Sequence, residues 1–475
     1  MIDPRKIILL AVFISLLAPL SFAQMPGFQK IFGQAEKREF GVASVQLNEE
    51  YIYLLGYESS TETDTEGTLS KLDFQGQLLW TADFGTRNDD IPRDILLNDQ
   101  GELIVVGETQ ISGASQVNAF VFKFDTSGTQ KWAEIYDNDS GNTFFNNIKQ
   151  TADGGYIVCG FTSGQGFGND YYLVKMDVDG NVEWDRAYGG PNNEIGVAVE
   201  VLEDGSYIFV GDKQQSEQGP YGIELTSIDA SGNIRWQKDI NDFANGGCKS
   251  MIRNRAGKLV IVGEATPPNQ FAFDIFVAEV STDGEIAWQR FVEASPKSDA
   301  GFGIMELTDG SGYLVTGYSH NESTDDTDIV ISQLDPLGNE LRRQYYENPG
   351  VGIGYDIKPV GNTSFIASGY ATQDNTPQYF ITLNNYLITS TPAIKKETLE
   401  LQLFPNPISA ATSLLQLSYP LKNASVQIIN SSGLTVSSNH YETLASIDLT
   451  GFPAGVYWIR LQTENGSIHK KIIKF

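Results

Sequence analysis

Five of the six tryptophans in this chain, Trp80, Trp132, Trp184, Trp236 and Trp288, stand 52 residues apart. Each closes a similar phrase: Asp73 and Gly76 precede Trp80, Asp125 and Gly128 precede Trp132, and Asp177 and Gly180 precede Trp184. Asp229 and Gly232 precede Trp236, Ser281 and Gly284 precede Trp288, and a sixth phrase, Asp335 and Gly338, leads to Arg342, two residues late against the period. Counting back 52 residues from Trp80 lands on Phe28. A second landmark runs alongside, with apolar runs ending at Gly56, Gly107, Gly160, Gly211, Gly263, Gly317 and Gly369. A period of this length with several short strands per unit predicts an all-β chain built as a β-propeller, one blade per repeat. Seven periods fill residues 24–388, so seven four-stranded blades are expected.

Loop lengths order the strands within a blade. The Asp-x-x-Gly phrase is a tight hairpin turn, because glycine accepts positive φ without steric cost. A second tight turn, such as Asp153-Gly154 or Asp204-Gly205, precedes each glycine-ended strand. The other two connections are long. The link from one blade's outermost strand to the next blade's innermost strand must cross the blade, so the Trp strand is outermost and the strand after it innermost. Ala43, Asp94, Asn147, Ala198, Ser250 and Asp356 then share one innermost position. Both long loops of every blade emerge on one face, where functional loops are expected. The first strand, Phe28 to Gly33, is expected to complete the seventh blade and remove the open edge at the ring junction.

The ends carry a different message. Arg5 and Lys6 precede an apolar run, Ile7 to Leu20, and then Ser21-Phe22-Ala23, which predicts a secretory signal peptide over residues 1–23. The run is too short to span a bilayer of about 30 Å. No later stretch is long and apolar enough to cross a membrane as a helix, so a mature chain without a transmembrane segment is expected. The chain holds 60 Asp+Glu against 32 Lys+Arg, a formal net charge of -28, which argues against nucleic acid as a partner. Two cysteines, Cys159 and Cys248, lie two repeats apart and are expected as buried free thiols rather than a disulfide. Periodicity stops in a linker over 389–400. Residues 401–475 then show Pro405, Asn406 and Pro407, an Asn430-Ser-Ser-Gly433 turn, Ala454-Gly455-Val456-Tyr457, and a closing Lys470-Lys471-Ile-Ile-Lys474.

In order and spacing these motifs resemble the C-terminal sorting domain of the type IX secretion system of Bacteroidetes, and the repeats look like those of bacterial secreted propellers. The resemblance implies a small Ig-like β-sandwich that engages the type IX machinery after Sec export. It implies a destination outside the cell or on its surface, with the passenger released or attached to lipopolysaccharide.

Chemistry is harder to find. Asp177, Asp179 and Asn181 have the look of a calcium loop, but no Glu closes it, and a hairpin turn explains them. Three histidines, at 320, 440 and 469, leave the propeller without a histidine metal set, and no nucleophile motif accompanies His320. No metal and no cofactor is expected. The candidate ligand site is the channel mouth: Asp94, Asn147 and Asp356, with Phe144, Tyr188 and Tyr346 as aromatics on the long-loop face. The reading that follows is a monomeric, non-catalytic recognition or adhesion module for an extracellular ligand such as a glycan. The alternatives are a polysaccharide-acting enzyme using channel-mouth carboxylates, or a structural surface protein.

Overall fold

The computed structural model describes residues 27–34, 36–61, 64–86, 89–110, 116–136, 141–163, 168–240, 242–321, 326–346, 350–386, 403–404, 408, 414–430, 435–463 and 466–475. The expected signal peptide and linker, and Pro405, Asn406, Pro407 and Gly433, lie outside the described residues. The chain divides into two compact units, 1–388 and 389–475.

Among the described residues, the first unit holds seven four-stranded antiparallel sheets, the blades of a propeller. Blades 1 to 6 span 38–84, 90–136, 143–188, 194–240, 246–292 and 299–346. Blade 7 consists of Gly352–Val360, Ser364–Gln373 and Thr376–Asn385, with Phe28–Phe32 as its fourth strand. Phe28 pairs with Leu383 and Phe32 with Tyr379, so the chain's beginning and the end of its repeats are hydrogen-bonded in one sheet. First strands of successive blades touch one another all the way round, which makes them the inner ring.

Second and third strands are buried on both faces, as in Leu259–Ala265 and Asp274–Val280, and read as nearly continuous apolar runs. Their side chains meet those of the next blade. Seven hydrophobic clusters result, one at each seam; Phe120, Phe122 and Phe124 of blade 2 meet Tyr53 and Leu55 of blade 1, for example.

At the perimeter the repeated phrase repeats its job. Asp73 Oδ1 accepts from the backbone N–H groups of Gln75 and Gln77 at 2.9 and 2.8 Å, and Gly76 sits at φ 72°. Asp177 does the same for Asp179 and Asn181, and its second oxygen accepts from Asn181 Nδ2 at 2.8 Å, so both carboxylate oxygens serve the turn. Five of the six turn glycines, Gly76, Gly128, Gly180, Gly284 and Gly338, lie against an aromatic ring of the preceding blade, while Gly232 meets the Arg186 side chain instead. A Cβ on Gly128, Gly180 or Gly338 would lie 2.8, 2.9 or 2.4 Å from the ring of Trp80, Trp132 or Trp288. Phe28 takes this role over Gly76, where a Cβ would be 2.6 Å away.

The second unit is one curled five-stranded sheet in its described part, with Leu414–Asn430 and Thr435–Asp448 as its longest strands. Its own core gathers Leu415, Val426, Ile428, Ile447, Ile459, Leu461 and Ile472. Tyr457 donates its hydroxyl to Pro453 O at 2.8 Å, and Gly455 pairs with Lys474 in the sheet. Lys470 and Lys471 are exposed on the last strand. The Lys474 ammonium is buried, donating to Leu449 O and Phe452 O at 2.7 Å each.

Candidate functional site

Every inner strand carries a register irregularity at the same place, between Gly41 and Ala43 in blade 1 and at the equivalent pairs in the other six. Such a bulge leaves one residue unpaired and re-aims its side chain. The unpaired residues are Val42, Arg93, Asn146, Val197, Lys249, Phe302 and Tyr355, one on each innermost strand. The residues just after them are the innermost set named from the sequence.

Those predicted residues turn out to be clips between blades. Asp94 Oδ2 accepts from Asn147 Nδ2 at 2.7 Å and from the Ile148 N–H at 3.1 Å. Asn147 Oδ1 accepts from the Val199 N–H at 3.0 Å. Asp356 Oδ2 accepts from the Ser44 N–H at 2.9 Å, across the junction where the ring closes. Each side chain therefore satisfies a backbone donor one blade on, which an inner strand at a sheet edge would otherwise leave unpaired. Burial pushes the Asp94 carboxyl up, against the pull of Lys358 and Lys149. Lys358 pairs with Asp356 at 2.6 Å and Lys149 with Glu200 at 2.7 Å, so the channel below the rim is lined with matched charges.

Two of the three predicted aromatics are not on the loop surface. Tyr188 and Tyr346 are 8% and 4% exposed, and each packs edge or tilted against a neighbouring blade's phenylalanine, Phe209 or Phe380, at 5.4 Å. They end the outermost strands, at the place held by Phe84, Tyr136, Ile240 and Val292 elsewhere; an apolar residue four positions after the Trp in repeat after repeat marks core. Phe144 is half-buried and stacks on Phe161, with centroids 4.4 Å apart. It borders a depression of about 320 Å³, which Thr65, Asp89, Ile91, Glu108 and Gln110 also line.

The sequence reading missed the main feature of the mouth. Tyr318, Phe302, Tyr355, Tyr370, Phe40 and Tyr57 form an unbroken arc of rings over blades 6, 7 and 1, with successive centroids 6.1, 5.0, 6.0, 4.9 and 4.8 Å apart. All six are half-buried. Burial raises the hydroxyl pKa of Tyr57 and Tyr355 to about 12, and raises those of Tyr318 and Tyr370, so these hydroxyls remain protonated donors at neutral pH. The signal was present in the sequence: three members, Tyr57, Tyr318 and Tyr370, directly follow the repeated glycine, which lies inside the second strand.

Beyond the arc the same two repeat positions carry charge in blades 2, 4 and 5, as Arg93 and Glu108, Asp212, and Lys249 and Glu264. Lys249 pairs with Glu264 at 3.0 Å and lies 5.8 Å from the centre of the Phe302 ring. Burial opposes the Lys249 charge, but Glu264 and Asp212 outweigh it and raise its pKa. Asp212 is itself pushed up to about 6 by burial, while its Oδ1 accepts from the Cys248 N–H at 2.6 Å. Cys159 and Cys248 are both buried and unbridged. Among the described residues, one acidic trio, Glu58, Glu66 and Asp83, brings its carboxylate oxygens within 4.8 Å of one another, and Lys37 is paired with Glu58 there.

Comparison with known proteins separates the two units. A solved structure of PorZ, an essential bacterial surface component of the type-IX secretion system of Porphyromonas gingivalis, aligns with 91% of this chain at 12% identity and a TM-score of 0.45. The chain spans 59% of the length of that protein. A Dyadobacter fermentans protein of unknown function aligns over 74% of this chain and all of its own, at 10% identity and a TM-score of 0.44. The endo-arabinase of Bacteroides thetaiotaomicron covers 55% of this chain and 95% of its own, at 11% identity and a TM-score of 0.34. No curated protein sequence matches the chain. Residues 402–475 match the family described as the secretion system C-terminal sorting domain. The chain thus ends in a type IX sorting domain, which implies engagement of that machinery and export to the cell surface or beyond.

Proposed function

We propose that this protein is an exported recognition module whose propeller binds a glycan at the channel mouth without turning it over. The observation that carries this reading is the arc of six half-buried rings spanning three blades. Aromatic faces and edges take up the C–H surface of a sugar, and protonated tyrosine hydroxyls supply donors for its oxygens. The matched ion pairs below the rim and the clip role of Asp94 and Asp356 favour binding over acid–base catalysis. In this reading residues 1–23 are removed as a signal peptide, 24–388 form the binding unit, 389–400 the linker and 401–475 the sorting unit.

Binding of the purified protein to an array of neutral and acidic glycans, with and without calcium, tests the proposal, with released sugar assayed in parallel. Binding without release, lost in Tyr355→Ala and Phe302→Ala, is the expected result. Release of sugar would replace this reading with the enzymatic one and direct attention to Asp94 and Asp356. Intact mass of the exported protein checks the amino terminus, expected at Gln24.

A further inference from the structure

The arc does not line an empty mouth. Arg93, the unpaired bulge residue of blade 2, sits beside it with a side chain 44% accessible to water. Its Nε donates to both Glu108 oxygens, at 3.1 and 2.9 Å, and its Nη2 donates to Oε1 at 2.5 Å. The guanidinium is therefore gripped along one edge by a carboxylate that is only 7% exposed. Its charge also pulls against the raised hydroxyl pKa values of Tyr57 in blade 1 and Tyr355 in blade 7.

Such an arginine has one edge engaged and, among the described residues, its Nη1 left for a ligand. A lone guanidinium at a binding mouth would favour a carboxylate, through paired charge-assisted hydrogen bonds. Here a buried partner already cancels the charge, and a second anion brought close would feel Glu108 as well as Arg93. The bulge position's other cation, Lys249, likewise faces two carboxylates, Glu264 and Asp212, and Arg38 lies over the Phe40 ring, 5.5 Å from its centre. The donors remain while the net charge does not attract anions, which suits a hydroxyl-bearing neutral sugar.

We propose that Arg93, held and neutralised by Glu108, is the specificity-determining donor of the mouth, so that the arc takes an uncharged pyranose in preference to a uronic acid. Glu108 acts as a positioning residue, through Arg93 and not by touching the ligand. This inference rests on the glycan reading above.

The test uses the full-length protein and calorimetric titration with maltotetraose, cellotetraose, mannotetraose and, as the anionic counterpart, tetragalacturonate. The wild type should bind at least one neutral tetrasaccharide about tenfold or more tightly than tetragalacturonate, the scale of one charged hydrogen bond. Arg93→Ala should weaken neutral binding about tenfold. Glu108→Gln, close in shape, should shift the preference towards tetragalacturonate by about tenfold and make that binding salt-sensitive. A thermal melt within a few degrees of wild type confirms that each variant is folded. Preference of the wild type for tetragalacturonate would overturn the inference. So would an unchanged preference in Glu108→Gln alongside loss of binding in Tyr355→Ala, an outcome that leaves the recognition reading standing. Absence of binding to all four sugars would overturn both.

Discussion

The perimeter and the mouth of this ring are built by opposite rules. At the perimeter five of six turn glycines meet the same contact, an aromatic ring of the preceding blade, even where Phe28 of the first strand supplies it; Gly232, against Arg186, is the exception. At the mouth one structural position, the bulge residue, is in turn Val, Arg, Asn, Val, Lys, Phe and Tyr around the ring. Closing seven blades requires seven equal seams, so the perimeter has little room to vary. The bulge position borders the open channel as well as its neighbours, with Asn146 donating to Gly196 O and Phe302 meeting Tyr355, so each blade can present something different there. The second position of the same bulge shows the boundary between the two regimes, because Asp94, Asn147 and Asp356 look polar and available yet hold blades together.

The sharpest way to break this contrast is at the perimeter. Gly338 has φ 78° and would place a Cβ 2.4 Å from the Trp288 ring. Gly338→Val should cost about 3–5 kcal/mol in denaturant unfolding, combining left-handed strain with overpacking. Gly101 has a similar φ of 74° but nothing within 4 Å, so Gly101→Ala should cost only about 1 kcal/mol. Equal losses at the two sites would mean that the ring-on-glycine contact does not matter.

At the inner clip, Asp94→Ala leaves the Ile148 N–H without its acceptor and should cost about 1–3 kcal/mol. Asp94→Asn keeps an acceptor and should cost less. Neither should alter glycan affinity; if Asp94→Asn abolished binding, the clip would have to be counted as part of the site.

At the arc the pattern reverses. Tyr355→Ala should cost about 1 kcal/mol of stability, since the ring is only half-buried, while removing most of the binding seen by titration.

The smallest expected effect is on pH. Burial raises Glu39 to about 7, and Asp212 and Asp274 to about 6. The folded chain therefore holds protons that the unfolded chain has lost, from the ordinary carboxylate range up to these values. Stability should fall as pH rises from about 5 to 8, and Glu39→Gln should flatten part of that slope in melts across the range.

The blade count, the four-stranded blades and the sorting domain were legible because they rest on repetition and on ordered motifs: Trp80 to Trp288, Gly56 to Gly369, and Gly455 with Tyr457. The site was not, for the reason that makes it a site. Period-matching finds what recurs, and so it drew Asp94, Tyr188 and Tyr346 into the list, which the fold uses at seams. The seven residues at the position of Arg93, Phe302 and Tyr355 include Val, Asn and Lys as well, so no recurring residue type marks it. Their common address appears only when the bulge reveals which residue is unpaired.

The most direct test of the account is hydrogen–deuterium exchange of the full-length protein with and without its best-bound glycan. The account predicts protection confined to the rim, in 38–42, 57–59, 90–93, 300–303, 353–356 and 370–372, with the perimeter turns unchanged. Protection centred on the turns at 73–77, 125–129 and 177–181, or on the outer strands, would contradict it.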